Sequence, residues 1–154
     1  MHSASELSPI SSFGLGSGIS GVGLTATVKG KEVYPGLLPR ANNGLAAIDE
    51  LNLLKEEDRG SLLNAMEKGF VTYDKGASHY KFDANIRLVA AANPKKSQFK
   101  GNSLRQLKDE IPFDPALLTR FHLIFLIRKP NLKQFIEITK KIISDETKKL
   151  TSED

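Results

Sequence analysis

The chain has 154 residues, of which 40% are hydrophobic and 26% are charged, and these values predict one soluble globular domain with its own core. It has no cysteine and only three histidines, which excludes disulfides and thiolate zinc sites and disfavours a histidine metal site. No apolar run approaches the roughly 18 residues that a membrane helix needs, and the N-terminus lacks the basic start and apolar centre of a secretory signal. We therefore expect an intracellular protein, located in the cytoplasm, nucleoid or nucleus.

The charge balance is slightly basic. Twenty-two Lys and Arg residues against 18 Asp and Glu residues give a formal net charge of +4 and a pI near 9.3, which mildly favours polyanionic partners. The basic residues are concentrated in 95–108 and 127–149. Such runs are most often solvated faces, so the charge alone does not identify a partner.

The first half of the chain contains a segment rich in Ser and Gly, then a buried strand and a helix. Residues 1–30 are expected to be irregular, with at most a short strand or helix in 23–28. The apolar run 44–49 is typical of a strand that is buried on both faces of a parallel sheet. Residues 56–69 begin with acids, continue with apolar residues at helical spacing and end in a glycine, so they predict a helix.

The second half is predicted to add a hairpin, two strands and two helices. Residues 70–83 are β-prone on both sides of a central turn and predict a β-hairpin. Buried strands are expected at 86–93 and 122–127, and a short helix is expected to begin at Asp114. Residues 132–143 predict an amphipathic helix. Strands that alternate with helices indicate an α/β fold with a mainly parallel sheet, flanking helices and a hairpin insertion.

Four polar residues stand where strands or helices end. Asp49 and Glu50 follow the first buried strand, at the edge where open α/β sheets bind ligands, and such acids can hold Mg²⁺ and polarise an attacking water. Asn93 follows the next strand and could orient that water, although an Asn before a Pro also starts a turn. Arg120 follows a helical turn, which suits either an arginine finger or a surface Arg.

The phosphate-binding loop that usually accompanies such acids is absent from the sequence. The pattern is G-x-x-x-x-G-K-[S/T], in which backbone N–H groups cradle the phosphates. The only Gly-Lys pair, Gly30-Lys31, is followed by Glu32, and Thr25 stands where the first glycine is required. The chain is therefore not expected to bind ATP tightly alone.

The order and spacing of these segments resemble the AAA+ domain of the minichromosome maintenance (MCM) replicative helicases. The resemblance covers about residues 19–128, and its most specific piece is "GVGLTA", which looks like the segment around the helix-2 insert of that family. It is carried by five segments of this sequence: "GVGLTATV" (21–28), "GLAAIDELN" (44–52), "EEDRGSLLNAMEKGFVTYDKGA" (56–77), "RLVAAANP" (87–94) and "DPALLTRFHLIF" (114–125).

The resemblance implies a role for each candidate residue. Asp49 and Glu50 correspond to the Walker B acids, with Asp49 holding the magnesium of Mg-ATP. Asn93 corresponds to sensor 1, and Arg120 to an arginine finger that is donated to a neighbouring subunit. ATP and Mg²⁺ are thus the cofactors expected of the intact domain, and ATP hydrolysis coupled to DNA unwinding is its expected activity.

The resemblance also implies partners. Lys75 falls on the lysine of the pre-sensor-1 hairpin, which tracks DNA in the family's central channel, and Lys81 on the same hairpin is a second candidate for DNA contact. The expected partners are therefore single- or double-stranded DNA and other AAA+ subunits, which form a hexamer in the family.

The expected domain organisation follows from the same resemblance. Residues 1–18 are predicted to be a flexible N-terminal segment, 19–128 the AAA+ core from Walker B to the arginine finger, and 129–154 an amphipathic helix at the start of the lid. The family's phosphate loop lies upstream of the helix-2 insert, so we expect the chain to begin after it, as a fragment, a truncated homologue or half of a split gene.

Two departures from the family pattern bear on activity. The family has Ser-Arg-Phe-Asp where this chain has Thr119-Arg120-Phe121-His122, and an Arg after the hairpin where this chain has Asn85. An unmodified catalytic cycle is not expected from such a sequence.

Two other functions remain open at this point. The segments "YPGLLPRANNG" (34–44) and "DELNLL" (49–54) look more like magnesium chelatase and its MoxR relatives, which are AAA+ remodelling ATPases. The absent phosphate loop also fits a non-catalytic module that assembles with an intact AAA+ partner. The "GVGLTA" segment and the form of the hairpin favour the MCM resemblance.

Overall fold

The structure is a computed structural model of the chain, and it describes residues 6, 8–30, 32–76, 78–96, 98–128, 130 and 132–150. The strands are β1 (Ser11–Leu15), β2 (Ala26–Lys29), β3 (Glu32–Pro35), β4 (Leu45–Asp49), β5 (Phe70–Lys75), β6 (Ser78–Asp83) and β7 (Arg87–Ala90). The helices are α1 (Gly21–Leu24), α2 (Leu37–Arg40), α3 (Arg59–Lys68), α4 (Leu104–Glu110), α5 (Pro115–Leu118) and α6 (Leu132–Leu150), with 3₁₀ turns at Leu51–Leu53 and Glu56–Asp58.

Three strands form a parallel sheet in the order β1-β4-β7. The central strand β4 has its three middle residues, Ala46, Ala47 and Ile48, fully buried, as its uninterrupted apolar sequence predicts. Helices flank this sheet, and the α/β class predicted from the sequence is confirmed.

One face of the sheet packs on the hydrophobic core. The fully or almost fully buried core residues come from α1, α2, β4, the turn after β4, α3, β5 and α5, and include Leu24, Leu38, Ile48, Leu51, Leu62, Val71 and Leu117. Helix α3 ends at Lys68 and is followed by Gly69, which has a φ of +72° that glycine adopts without strain. The predicted helix and its glycine stop are both confirmed.

Two antiparallel hairpins project from this core. The hairpin of β5 and β6 is the predicted one, with Phe70 opposite Asp83 at its base and Lys75 opposite Ser78 at its tip. The hairpin of β2 and β3 was foreseen only as a short strand. In β3, Tyr34 donates a hydrogen bond to Glu32, and this bond raises the pKa of the Tyr34 phenol.

The N-terminal segment differs from the prediction. Residues 11–15, expected to be irregular and part of a flexible segment over 1–18, form β1 and pair in register with β4. Pairing with β4 makes these residues a strand, and Gly14 leaves room for the neighbouring side chains, because a Cβ there would lie 2.5 Å from a methyl carbon of Leu37 and 2.4 Å from one of Ile19. Glycine in this strand therefore permits close packing of α2 on the sheet. The other domain boundaries predicted from the sequence remain predictions.

The segment 122–127 also differs from the prediction, since it forms no strand. Its apolar side chains are largely exposed, with Phe125 at 80% and Ile127 at 84% of their full accessible surface. A strand needs a neighbour for its backbone groups, and in the described part of the chain β7 pairs only with β4. The apolar sequence is strand-like, but the partner that would complete the pairing does not come from the described residues.

The sheet face opposite the core is incompletely covered. Phe13, Leu15 and Val89 lie on it and are 40%, 47% and 39% exposed. The strand predicted at 86–93 is shorter than expected, at Arg87–Ala90, and it is half-buried on the core face and exposed on the other.

The closing helix α6 is amphipathic, as predicted, and its apolar side chains Phe135, Ile136, Ile142 and Ile143 are about half exposed. None of the helices in the described part of the chain combines the length and the apolar character that a bilayer-crossing segment requires.

Candidate functional site

Asp49 and Glu50 lie together at the carboxyl end of the central strand β4. The Asp49 carboxylate accepts a hydrogen bond of 2.8 Å from the Glu50 backbone N–H. The Glu50 carboxylate accepts one of 3.0 Å from the Ser17 hydroxyl, which lies just beyond the end of the neighbouring strand β1. Both carboxylates are therefore oriented by neighbouring groups at the edge of a parallel sheet where ligands bind.

Glu50 has an unusual backbone conformation. Its φ of 52° and ψ of 39° are left-handed, a region that glycine adopts easily and that costs other residues about 1–3 kcal/mol. The surrounding structure holds it there, because Gly16 N–H donates to the Asp49 carbonyl at 2.7 Å and Leu53 N–H donates to the Glu50 carbonyl at 2.8 Å. A glutamate that is kept in a strained position beside an aspartate marks a candidate functional site.

The loop with Asn93 is tied to the loop that follows β4. Asn93 N–H donates to the side-chain oxygen of Asn52 at 2.9 Å, and Leu51 N–H donates to the carbonyl of Ala91 at 2.9 Å. The predicted proximity of Asn93 to the acid pair at one edge of the sheet is thus supported by direct bonds between the two loops.

The acid pair fits a magnesium ion that is shared with a phosphate. Among the described residues no group of three or more His, Cys, Asp or Glu side chains is arranged as a complete metal site. Mg²⁺ does not require one, since it commonly takes one or two carboxylates and completes its octahedral shell with waters and substrate phosphates. Asp49, whose Oδ1 accepts the Glu50 N–H, has its second oxygen to offer to such an ion.

Arg120 lies apart from this cluster. Its guanidinium forms an ion pair of 2.9 Å with Glu67 near the end of α3, and both side chains are 39–50% exposed. The helix before it, α5, begins as predicted, with Asp114 accepting a hydrogen bond of 2.8 Å from Leu117 N–H and Pro115 in the first turn. The structure therefore holds Arg120 at the surface, next to α3, rather than against Asp49 or Glu50.

The two lysines of the hairpin have different surroundings. Lys75 is the last residue of β5 and is exposed at the tip. The Lys81 ammonium lies 4.0 Å from the ring centroid of Phe70, a cation–π contact that occupies it. Lys75 and Lys81 point to opposite faces of the hairpin, because side chains alternate along each strand.

Sequence reasoning missed three residues of these sites. Ser17 and Asn52 orient the groups around the acid pair, and Glu67 pairs with Arg120. For Ser17, the sequence offered one signal, the "GLGSG" run that contains it, whose small residues allow a close approach of two backbones. Asn52 and Glu67 had no signal beyond an ordinary polar residue.

Gly16 sets the position of the acid pair, and its replacement is expected to destabilise the protein. A Cβ at Gly16 would lie 2.2 Å from the Glu50 carbonyl oxygen, so Gly16→Ala must push β1 away from the turn and cost about 1–3 kcal/mol. Gly60 in α3 is the matched control, because a Cβ there meets nothing within 4 Å and alanine favours the helix by up to about 1 kcal/mol. Urea unfolding of both variants measures the difference.

An unfolding midpoint for Gly16→Ala at or above that of the unmodified protein would contradict the close approach of β1 to Glu50. The same would hold if Gly16→Ala and Gly60→Ala shifted the midpoint equally.

A parallel sheet with paired acids at the carboxyl end of its central strand, helices on its flanks and an inserted hairpin is the α/β core of a partial AAA+ domain of the P-loop type. Over residues 1–146 the sequence matches the family described as the MCM P-loop domain. The chain belongs to the MCM family.

Relatives from archaea and eukaryotes agree with this assignment. The chain is 33% identical over 153 residues to the minichromosome maintenance protein MCM of Saccharolobus solfataricus, which covers 96% of the chain and 22% of that protein. It is 38% identical over 134 residues to an uncharacterised MCM-type protein of Methanocaldococcus jannaschii, covering 81% of the chain and 17% of the relative. It is 35% identical over 131 residues to DNA replication licensing factor MCM4 of Drosophila melanogaster, covering 81% of the chain and 15% of the relative.

The chain thus spans only 15–22% of the length of these relatives. The resemblance to MCM proteins predicted from the sequence is confirmed, and the alternative of a magnesium chelatase or MoxR relative is not favoured.

Proposed function

We propose that this chain supplies the Walker B, sensor 1 and arginine-finger part of an ATP-dependent MCM DNA helicase. The observation that carries the proposal is the pair Asp49 and Glu50 at the end of β4, with Glu50 held in a left-handed conformation and bonded to Ser17. Its support from comparison is the MCM family membership over residues 1–146.

Each residue of the cluster has a role in this proposal. Asp49 holds the Mg²⁺ of Mg-ATP, directly or through water, and the ion neutralises charge on the phosphates. Glu50 polarises the water that attacks the terminal phosphate, and the Ser17 hydroxyl fixes the orientation of its carboxylate. Asn93, on the loop bonded to Asn52, orients the same water with its neutral amide.

The phosphate loop that completes the site is proposed to come from outside this sequence. Two surfaces of the structure favour a missing strand beside β7: its outer edge has no partner among the described residues, and the exposed apolar segment 122–127 has none either. An additional parallel strand that ends in a phosphate loop can pair with β7 and bring the loop to the edge where Asp49 lies. That strand belongs to a longer form of this protein or to another chain.

Arg120 is proposed to act on ATP that is bound by a neighbouring subunit. Its surface position and its distance from the acid pair of its own chain favour this role, because a finger must reach a γ-phosphate across an interface. Glu67 is its partner in the unassembled protein and orients the guanidinium at the surface.

Lys75 is proposed to contact the DNA backbone from the hairpin tip. The structure leaves it exposed, whereas Lys81 is engaged with Phe70 on the opposite face. Of the two lysines named from the sequence, Lys75 is the stronger candidate for DNA contact.

The experiment that tests the proposal uses a joined protein. Its first part is the segment of the Saccharolobus relative that comes before the region matched by this chain, because the family has its phosphate loop upstream. Its second part is this chain. In the joined protein, Glu50→Gln should reduce ATP turnover by about 10²- to 10⁴-fold and leave Mg-ATP binding intact, because the amide cannot polarise water. Turnover is measured by phosphate release and binding by calorimetry.

Glu57→Gln is the matched control, since Glu57 is an exposed acid whose one ion pair with a described residue is with Lys55 at 3.8 Å. Equal turnover in Glu50→Gln and Glu57→Gln, with ATP bound in both, would show that Glu50 is not the catalytic acid.

A further inference from the structure

The β5–β6 hairpin carries a strip of aromatic side chains that the proposed helicase function does not explain. Tyr73 lies directly opposite Tyr80 in the antiparallel register. Because side chains alternate along each strand, these two share a face with Val71 and Phe82 toward the base of the hairpin, and with Lys75 toward its tip.

The rings of this face form a continuous strip. The ring centroids of Tyr73 and Tyr80 are 6.5 Å apart with an angle of 30° between the ring planes, and those of Tyr80 and Phe82 are 6.5 Å apart with an angle of 19°. The base is fixed, because Val71 is 1% exposed and Phe82 packs against the core. The strip is thus an aromatic surface, with angles of 30° or less between neighbouring ring planes, that leads from the core toward the tip.

The two tyrosines of the strip are partly exposed and their hydroxyls are available. Neither Tyr73 nor Tyr80 makes a side-chain hydrogen bond to any residue that the structure describes, whereas Tyr34 donates one to Glu32. No buried polar side-chain atom in that same part of the protein lacks a partner, so these phenols reach solvent. Each tyrosine therefore packs its ring against a neighbouring ring and keeps its hydroxyl in water.

The charged groups of the hairpin are sorted between its two faces. The face opposite the strip carries the pair of Asp74 with His79, and Lys81 over Phe70. Within residues 70–76 and 78–83, Lys75 is the one cation on the aromatic face. That face therefore combines stacking surfaces with a single positive charge two residues beyond Tyr73.

We propose that Tyr73 and Tyr80 stack against the unpaired bases of single-stranded nucleic acid while Lys75 contacts its phosphates. Aromatic side chains beside a basic residue are the combination that binds single strands without sequence preference, because every base has a π-face. A duplex hides those faces, so the hairpin selects single strands. The inference rests on the proposed function in taking DNA as the polyanion, and it adds the two tyrosines as the residues that recognise the bases.

The first test places a fluorescent reporter in the strip. The chain has no tryptophan, so Tyr80→Trp introduces a unique indole, and base stacking should quench its emission. The full chain at low salt is titrated with oligothymidylate of about 12 nucleotides and with a duplex of the same length. Quenching by the single strand and little by the duplex is expected. No quenching by the single strand, or equal quenching by both, would overturn the proposal.

The second test separates stacking from charge. Tyr73→Leu and Tyr80→Leu should each weaken oligothymidylate binding by about 5- to 150-fold at every salt concentration, and leave the slope of log affinity against log salt unchanged. Tyr80→Phe, which keeps the ring, should bind like the unmodified chain. Urea unfolding shows whether each variant is folded, and Leu variants that fold and bind normally would overturn the proposal.

Lys75→Ala distinguishes a failure of this inference from a failure of the proposed DNA contact. It should make the salt slope shallower by about 0.7 and leave the quenching at saturation intact. An unchanged slope with normal quenching would overturn the phosphate contact of Lys75 and support the stacking by the tyrosines.

Discussion

Joined proteins that carry either Arg120→Ala or Glu50→Gln are each expected to be inactive alone and to regain ATP turnover when they are mixed. An arginine finger contributes about 10³- to 10⁵-fold in rate, so its loss abolishes measurable ATP turnover at the site of the neighbouring subunit. In a mixture, some interfaces combine an intact Glu50 on the ATP-bound subunit with an intact Arg120 from its neighbour. In an equal mixture that assembles at random, about a quarter of the interfaces have both, because these interfaces are heterologous.

The matched control for this experiment is Glu67→Gln, which removes the ion-pair partner of Arg120 and keeps the guanidinium. It should retain turnover, since Glu67 orients Arg120 only before assembly. Recovery is measured as phosphate release across a range of mixing ratios, with assembly followed by light scattering. Full activity of Arg120→Ala alone, or no recovery in mixtures that assemble normally, would show that Arg120 is a surface arginine.

Mg-ATP affinity is expected to rise by orders of magnitude when the phosphate loop is supplied. In this chain, Asp49 and Glu50 repel the triphosphate unless Mg²⁺ lies between them, and no G-x-x-x-x-G-K-[S/T] loop offers N–H donors and a lysine. Hydrogen bonds to charged groups contribute about 1.5–3 kcal/mol each, so two of them correspond to about 10²- to 10⁴-fold in affinity. Calorimetric titration of the chain and of the joined protein measures this gain.

Micromolar Mg-ATP affinity in the chain alone would contradict this expectation. It would show that another backbone segment cradles the phosphates, and the Gly- and Ser-rich run 14–21 beside Ser17 would be the first place to look.

The elements that sequence reasoning placed correctly depend on local patterns. The buried strand 44–49 is an unbroken apolar run, the hairpin has two β-prone stretches around a glycine, and α5 begins with Asp114 and Pro115. Each of these signals lies within a few residues of the element it predicts. The loop of Asn93 bonds to Asn52 in the turn after β4, as expected where neighbouring parallel strands bring their carboxyl ends to one edge.

The elements that sequence reasoning misplaced depend on distant partners. Residues 11–15 have the composition of a loop, and they are a strand because β4 pairs with them. Residues 122–127 have the composition of a strand, and they are not one because no described strand lies beside them.

The detailed geometry of the candidate site also depends on partners that are distant in the sequence. The left-handed backbone of Glu50 and its bond to Ser17 arise where β1 and β4 end side by side. The pairing of Arg120 with Glu67 and the contact of Lys81 with Phe70 arise from packing and register. A sequence pattern names such residues, but their partners are decided by contacts between segments that are far apart in the chain.

The most direct test of the central claim, that this chain is the catalytic-acid part of a DNA-dependent MCM ATPase, is the ATP turnover of the joined protein with and without single-stranded DNA. At saturating Mg-ATP, we predict turnover that increases when oligothymidylate is added. Bound ATP with no turnover in either condition would contradict the claim in favour of a non-catalytic module. ATP turnover that is unchanged by DNA and increases with a protein substrate would contradict the claim in favour of a remodelling ATPase.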